Sequence, residues 1–487
     1  MMRSLLTALL ILTSVLSAPL AAQDASPFVP ADHWSVGAVN RLHALGLTPP
    51  GTVRGQRSRT VGEVRSVLEE AAAGGHELAR GYLRRFADEF SGDSATFATL
   101  THATVAAGAG VLDGDVRHGV YRTWGEENWT GTRPLDDRTT GIARGALLAT
   151  LGGHVAAGAV ATRNPVHTRV SELYGTVRLG PVGIWGGRRV QGFGPGTGGI
   201  VLDGNAPVDG GGLFVEPVRL PWLLRHLGPV RAELGVAPLP ANGPVDRPFF
   251  ILTRGSIEPH PRIGFGITRA GMIGASDDGR SVGDILYFLV GGQTGGSEYD
   301  NQIAAADAWF RPPAGPLPLL LYVEWGAEDS AGAWWDVPGI VAGVELAAVP
   351  RLPWLSVVIE RSSFERSASG NPPWYRHPIG FHDGWSTRDE LLGHPLGGHG
   401  REWLLQARAD LMDGRLQLVT RGFTRRRGSE NVFAPERAGL SNGVAVRGDL
   451  QLRSGFVLHV EGATEDGGDW RRTQASGALR FYLPRVR

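Results

Sequence analysis

The stretch Trp403-Leu-Leu-Gln-Ala-Arg-Ala-Asp-Leu-Met-Asp-Gly-Arg-Leu-Gln-Leu418 decides the fold class. Trp403, Leu405, Ala407, Ala409 and Leu411 fall on one face of an extended segment, and Gln406, Arg408 and Asp410 on the other, because side chains along a strand alternate with period two. Asp413-Gly414 is a hairpin signal. Alternation then resumes, with Leu416 and Leu418 opposing Arg415, Gln417 and Arg421. Phe456, Leu458 and Val460 alternate with His459 and Glu461 in the same way, and Leu479, Phe481 and Leu483 give the last strand. From about residue 95 onward helical periodicity stops, glycine becomes frequent, and the chain reads as mostly β.

The connections narrow this class. Short turns are predicted at Pro312–Pro318, Ala348–Pro353, Met412–Arg415 and Arg453–Gly455. Longer polar loops are predicted between them, at Glu328–Pro338, Ser363–Glu402, Thr424–Gly443 and Thr464–Arg471. A soluble sandwich has no reason to gather its long connections at one end, whereas outer-membrane barrels pair short periplasmic turns with long extracellular loops. The strands between them suit a tilted span of the bilayer. The prediction is therefore a large antiparallel transmembrane β-barrel over residues 95–487, with room for about 16–18 strands. The chain ends in Arg487, where many such barrels end in Phe.

Ahead of the barrel lie two other segments. Residues 1–23 read as a cleaved signal peptide: Arg3 supplies the basic start, Leu5 to Leu16 the apolar run, and Ser17 to Gln23 small residues with a proline. Residues 24–94 read as a small periplasmic bundle of three helices. Asp32 is the expected cap of the first, which runs through Trp34, Ala38, Leu42 and Leu45 and closes at Gly46. Thr60 and Glu63 have capping-box spacing before Val64, Leu68 and Ala71. Leu78, Tyr82, Phe86 and Phe90 repeat every four residues after Gly74-Gly75.

Composition excludes several functions. The 487 residues hold 48 basic and 48 acidic side chains, every basic one an arginine, and no cysteine. A net charge of zero argues against a nucleic-acid partner. Without cysteine there is no disulfide framework, thiolate metal site or thiol nucleophile. Glycine, at 71 residues, is about twice as frequent as usual and follows no collagen period.

The sequence resembles the Wzi-type capsule assembly family. The residues that carry the resemblance are His33-Trp34 and Arg41-Leu42…Leu45-Gly46-Leu47, then Trp185-Gly-Gly-Arg-Arg-Val190 running into Gly192-Phe-Gly-Pro-Gly196, Leu202 and Asn205-Ala206-Pro207. Gly264-Phe-Gly-Ile-Thr-Arg269, Tyr322…Gly326-x-Glu328-Asp329 and Leu392-Gly-His-Pro-Leu-Gly-Gly-His-Gly400 continue it. Each motif alone is weak; their colinearity over nearly the whole mature chain is specific. The resemblance implies an 18-stranded outer-membrane barrel with a periplasmic helical bundle and a lectin-like role in holding capsular polysaccharide at the cell surface. It brings no catalytic residue set.

An enzyme is not expected. His382-Asp383, His394, His399 and Glu328-Asp329 complete no metal motif, and no cofactor is implied. Gly279-x-Ser281-x-Gly283 and Gly439-x-Ser441-x-Gly443 run into strand-like segments, where a nucleophile elbow needs a following helix. For sugar binding, the candidates are aromatic faces and guanidinium forks in the long loops: Trp334, Trp335, Trp374, Tyr375, Trp385, Arg425, Arg426 and Arg427. Loop packing or an interfacial girdle competes for the aromatics, and a solvated loop or lipopolysaccharide binding for the arginines. Arg188 and Arg189 are expected to face the lumen and pair with acids there. The expected partners are capsular or extracellular polysaccharide, outer-membrane lipid and lipopolysaccharide, and the barrel assembly machinery. The alternative is a porin or a structural barrel without glycan recognition.

Overall fold

The computed structural model describes residues 25–482 except 32, 56–57, 91–97, 115–139, 164–167, 275–287, 289–299, 314, 316, 329–337, 365–372, 378–379, 389, 432, 435–436 and 454. The segment read as a signal peptide, Asp32, Ser281, Trp334, Trp335 and Leu483 lie outside the described residues.

Eighteen strands form one sheet in which each strand pairs antiparallel with its neighbours, and the sheet closes where β1 (Ala98–Gly114) meets both β2 (Thr140–Leu151) and β20 (Arg471–Tyr482). Closure leaves no edge strand, the condition for a sheet to sit in hydrocarbon. The order continues through β3 (Val155–Arg163), β4 (Thr168–Leu179), β5 (Val182–Gly192), β6 (Asp203–Arg219), β7 (Pro229–Pro238), β8 (Phe249–His260), β9 (Ile263–Ile273), β10 (Asp300–Phe310), β11 (Leu319–Glu328), β12 (Gly339–Leu346) and β13 (Leu355–Phe364). A two-strand hairpin, β14 (Ser386–Thr387) and β15 (Glu390–Leu391), stands apart from the barrel. The wall resumes with β16 (Gly400–Leu411), β17 (Leu416–Arg427), β18 (Gly439–Arg453) and β19 (Phe456–Gly467).

The opening hairpin behaves as read. Leu411 pairs with Leu416 across Met412–Arg415, Trp403 and Leu405 are exposed on the outside, and Asp410 is buried inside. Leu147, Leu173, Ile184, Leu213, Phe265, Ile267, Val344, Ile359, Val446 and Val460 are likewise exposed on the outer wall, an apolar band of the kind hydrocarbon covers. Glycine has a specific use within. Gly158, Gly264, Gly343, Gly183 and Gly443 each stand opposite an aromatic on the next strand, namely Tyr174, Trp309, Tyr322, Phe214 and Phe423. Each ring lies where a Cβ would project, so the missing side chain makes room for it.

Two connections are shorter than expected: the predicted loop Thr424–Gly443 is residues 428–438. The predicted long loop Thr464–Arg471 is only residues 468–470, because β19 runs on to Gly467. Glu465 points inward to Arg427 there, so polar alternation continues the ladder above the apolar band.

Among the described residues three helices precede the barrel: α1 (Trp34–Ala44), α2 (Val61–Ala73) and α3 (Glu77–Glu89). The N-cap of α1 is His33, whose ring accepts from the Ser35 amide. Thr60 caps α2 by accepting from the Glu63 amide at 3.1 Å, the capping box that its spacing predicts. Tyr82, Phe86 and Phe90 join Trp34, Leu42, Val64 and Leu68 in one apolar core that also contains Leu148 of the barrel wall. The helices fill the end of the barrel that carries the short turns. Arg41 donates to the carbonyls of Ala347, Pro353 and Trp354 and pairs with Asp410. Arg85 donates to the Gly414 carbonyl at 3.1 Å.

Candidate functional site: the capped mouth

At the opposite end two connections fold into the lumen. The first, residues 193–202, follows β5 and is pinned by inward carboxylates. Glu324 accepts from the Ile200 amide at 3.1 Å, Glu360 from the Thr197 amide at 2.8 Å, and Asp203 from the Gly199 amide at 2.9 Å. A glycine-rich turn therefore wraps protein carboxylates with its amides, and no phosphate cradle is formed. Gly194 sits at φ 109, a backbone setting that favours glycine, with Glu324 where its Cβ would lie.

The second connection, between β13 and β16, packs on top of the first. The Tyr375 hydroxyl donates to the Ile200 carbonyl at 2.6 Å and accepts from the His394 amide at 3.0 Å. Trp385 Nε1 donates to the Val201 carbonyl at 2.9 Å, and the Asp203 amide donates to the Leu392 carbonyl at 2.9 Å. Around these bonds Phe193, Leu202, Phe250, Met272, Phe364, Trp374, Phe381, Leu396 and Phe433 form a continuous apolar core inside the barrel. Burial pushes the Tyr375 hydroxyl well above its ordinary pKa, so it stays a donor to the Ile200 carbonyl. The two plugs meet at Arg54, which precedes α2: it donates to the Pro195 carbonyl at 3.0 Å, pairs with Glu345 at 2.5 Å and lies over the Tyr322 ring.

The predicted glycan contacts are redistributed by this arrangement. Tyr375 and Trp385 are 0% exposed and Trp374 3%, so these rings are core of the cap and present no stacking face to solvent. An aromatic in a polar loop carries no local sign that the loop folds inward; the partner carbonyls lie more than 170 residues away. Arg425, Arg426 and Arg427 belong to β17 and not to a loop. Arg425 and Arg427 are buried in the lumen, on Glu402 and Glu465, while Arg426 faces outward. Arg189 does face the lumen, over the Phe28 ring and 3.7 Å from Glu233. Arg188 does not: consecutive strand residues point to opposite faces, and it pairs on the outer wall with Asp209.

No cluster of three or more metal-binding side chains occurs among the described residues. Ser441 lies in β18 and donates to Glu465, so its Gly-x-Ser-x-Gly is strand and not elbow. Sequence reasoning missed one serine relay. Ser35 Oγ is 2.8 Å from His33 Nδ1, and His33 Nε2 is 2.7 Å from Glu89. Ser35 is wholly buried, so no substrate reaches it; the relay ties the start of α1 to the end of α3.

A closed 18-stranded barrel with an apolar outer band and a filled lumen defines an outer-membrane protein whose ends are both occupied. The family model for capsule assembly protein Wzi matches residues 77–468, and the chain belongs to that family. Among solved structures it is similar to Wzi of Escherichia coli, at 18% identity and a TM-score of 0.73, covering 94% of this chain and 100% of that one. That protein is described as an outer-membrane, carbohydrate-binding β-barrel involved in group 1 capsule assembly. Outer membrane protein OprD of Pseudomonas aeruginosa also matches, at 10% identity and a TM-score of 0.49 over 82% of this chain and 98% of that one. No curated protein matches.

Proposed function

We propose that this outer-membrane member of the capsule assembly family binds capsular or other surface polysaccharide and helps to assemble or retain it at the cell surface. The observation that carries the reading is the double closure. Helices fill one end of the barrel, a folded-in cap fills the other, and Arg54 joins them. A barrel filled this way works through its surface and not through its lumen, which disfavours the porin alternative. The long-connection end faces outward from the cell and the helical bundle faces the periplasm, the arrangement that short turns and long loops have in such barrels. Trp334 and Trp335, which lie in the sequence between β11 and β12 and outside the described residues, keep their candidacy as aromatics that cover a sugar face. Arg426 is the member of its run that faces outward.

Direct glycan binding tests this. Purified folded protein should retain capsular polymer on a glycan array or in calorimetry, and cells lacking it should shed polymer into the medium. Channel conductance in planar bilayers together with no glycan retention would install the porin reading instead.

A further inference from the structure

On the outer wall, near the long-connection end, Arg188 of β5 and Asp209 of β6 stand directly opposite each other. Arg188 Nε and Nη2 grip the two Asp209 oxygens at 2.5 and 2.8 Å, and Nη1 donates to the Val170 carbonyl at 3.1 Å. A second guanidinium reaches the same carboxylate from above: Arg388, at the tip of the β14–β15 hairpin, bonds Asp209 through Nη2. Arg388 is in the left-handed region (φ 52), which the hairpin imposes on a side chain that gains no burial from it. Two cations thus share one anion, and all three side chains are solvent-accessible, at 26%, 33% and 43% for Arg188, Asp209 and Arg388.

The register fixes what lies beside them. Arg188 pairs with Leu173 of β4, and Ile184 and Leu213 follow four residues below Arg188 and Asp209 on the same outer face. Leu173, at the level of Arg188, is 61% exposed, and Ile184, about 13 Å further down the strand, is 46% exposed, so the pair borders the apolar outer wall. The two guanidiniums and one carboxylate carry a net positive charge beside exposed apolar residues of the outer wall.

We propose that Arg188 and Arg388 form a binding site for a phosphate-bearing lipid head group of the outer leaflet, with Asp209 holding the two guanidiniums in place until phosphate displaces it. Guanidinium forks match phosphate geometry and bind it more strongly than neutral donors do. An acidic polymer would approach from solvent above the cap. A phosphate whose acyl chains lie against Leu173, Ile184 and Leu213 meets the cluster from the side it faces.

The test uses the full-length protein in detergent with three probes: lipopolysaccharide, the same lipid stripped of phosphate, and inorganic phosphate. Native mass spectrometry reads bound lipid, and gel mobility before and after heating reads the fold. Wild type should retain lipopolysaccharide, with affinity falling about tenfold or more in R188A/R388A and for the stripped lipid. R388A alone, a change at an exposed hairpin tip, should show part of the loss. D209A removes the competing carboxylate and should bind the lipid more tightly. Equal retention by R188A/R388A and wild type, weaker retention by D209A, or full stabilisation by inorganic phosphate alone would overturn the proposal. So would loss of acidic polysaccharide binding in R188A/R388A with lipid retention intact, which would give the cluster to the polymer.

Discussion

The two ends of the barrel are filled by different kinds of bond. At the short-turn end the helices are held by charged and hydrogen-bonding groups: Arg41 on three turn carbonyls and Asp410, Arg85 on Gly414, and Glu63 on Arg231 at 2.8 Å. At the other end an aromatic core holds the cap, and Tyr375 and Trp385 spend their polar atoms on backbone carbonyls of the segment beneath. The first arrangement depends on each charge keeping its partner. The second depends mainly on packed volume, with buried carboxylates on backbone amides beneath it, so it has few ion pairs for salt to screen. Perturbations should therefore sort by the end they strike.

The largest effect is expected from Trp385→Ala. The indole is fully buried, edge-on to Phe250 at 5.7 Å between ring centres, and its removal leaves both a cavity and an unpaired Val201 carbonyl. Such truncations cost about 3–5 kcal/mol. Trypsin should then cut at Arg376 or Arg388 in the cap much faster than in wild type, while the barrel stays heat-modifiable on gels and the helices stay protected. Cleavage spreading equally to the helices would mean that the two plugs fold as one unit through Arg54.

Arg41→Ala strikes the other end and should cost less, about 2–3 kcal/mol. Asp410 keeps Arg408 at 2.9 Å, so its charge is not abandoned. Proteolysis should now release the helices and spare the cap, and the difference from wild type should narrow with added salt, which weakens the ion pair that only wild type has.

The helical end was legible because its signals are local. The Thr60 and Glu63 spacing and the four-residue repeat of Tyr82, Phe86 and Phe90 each lie within one or two turns. The β16–β17 hairpin was legible for the same reason. What the sequence hid falls into two kinds. Hydropathy marks where lipid touches a strand, not where the strand ends, so the polar rims at Arg425–Arg427 and Thr464–Gly467 read as loops although the ladder continues through them. The cap was hidden because its contacts are remote. Nothing near Trp385 announces the Val201 carbonyl, and only the fold brings them within 2.9 Å.

Acid should loosen the helical end selectively. His43 is buried with neither ring nitrogen bonded, against Trp309, and burial together with Arg311, Arg54 and Arg59 holds it well below its ordinary value of 6.5. Undocked, the imidazole titrates near that ordinary value. Docking is therefore complete above it and weakens as pH falls, by up to about 1.4 kcal/mol per pH unit, until the docked ring itself takes a proton. Glu89 adds a separate loss at lower pH. Burial alone would raise it, but His33 and Arg85 bring it down to about 2, so its contribution drains between 4.5 and that value. Helix release followed by proteolysis against pH should show both phases, and His43→Leu should remove only the first. A cap that opened over the same window would break the contrast between the ends.

The smallest effect is expected at Arg426, and it tests the rim. Were residues 425–427 a solvated loop, alanine at any of the three would change stability equally and little. On a strand the neighbours differ in kind. Arg427 is buried and donates to Glu465 at 2.8 Å, so Arg427→Ala deprives a buried carboxylate of one of its cations and should cost about 3 kcal/mol. Arg426 faces away from that cluster, and Arg426→Ala should stay within about 0.5 kcal/mol. Unfolding in urea, followed by gel mobility, compares the two directly. Because Arg426→Ala leaves the fold alone, any loss of polymer retention in that variant reports on the outer surface itself, whereas a loss in Arg427→Ala reports only on the wall that supports it.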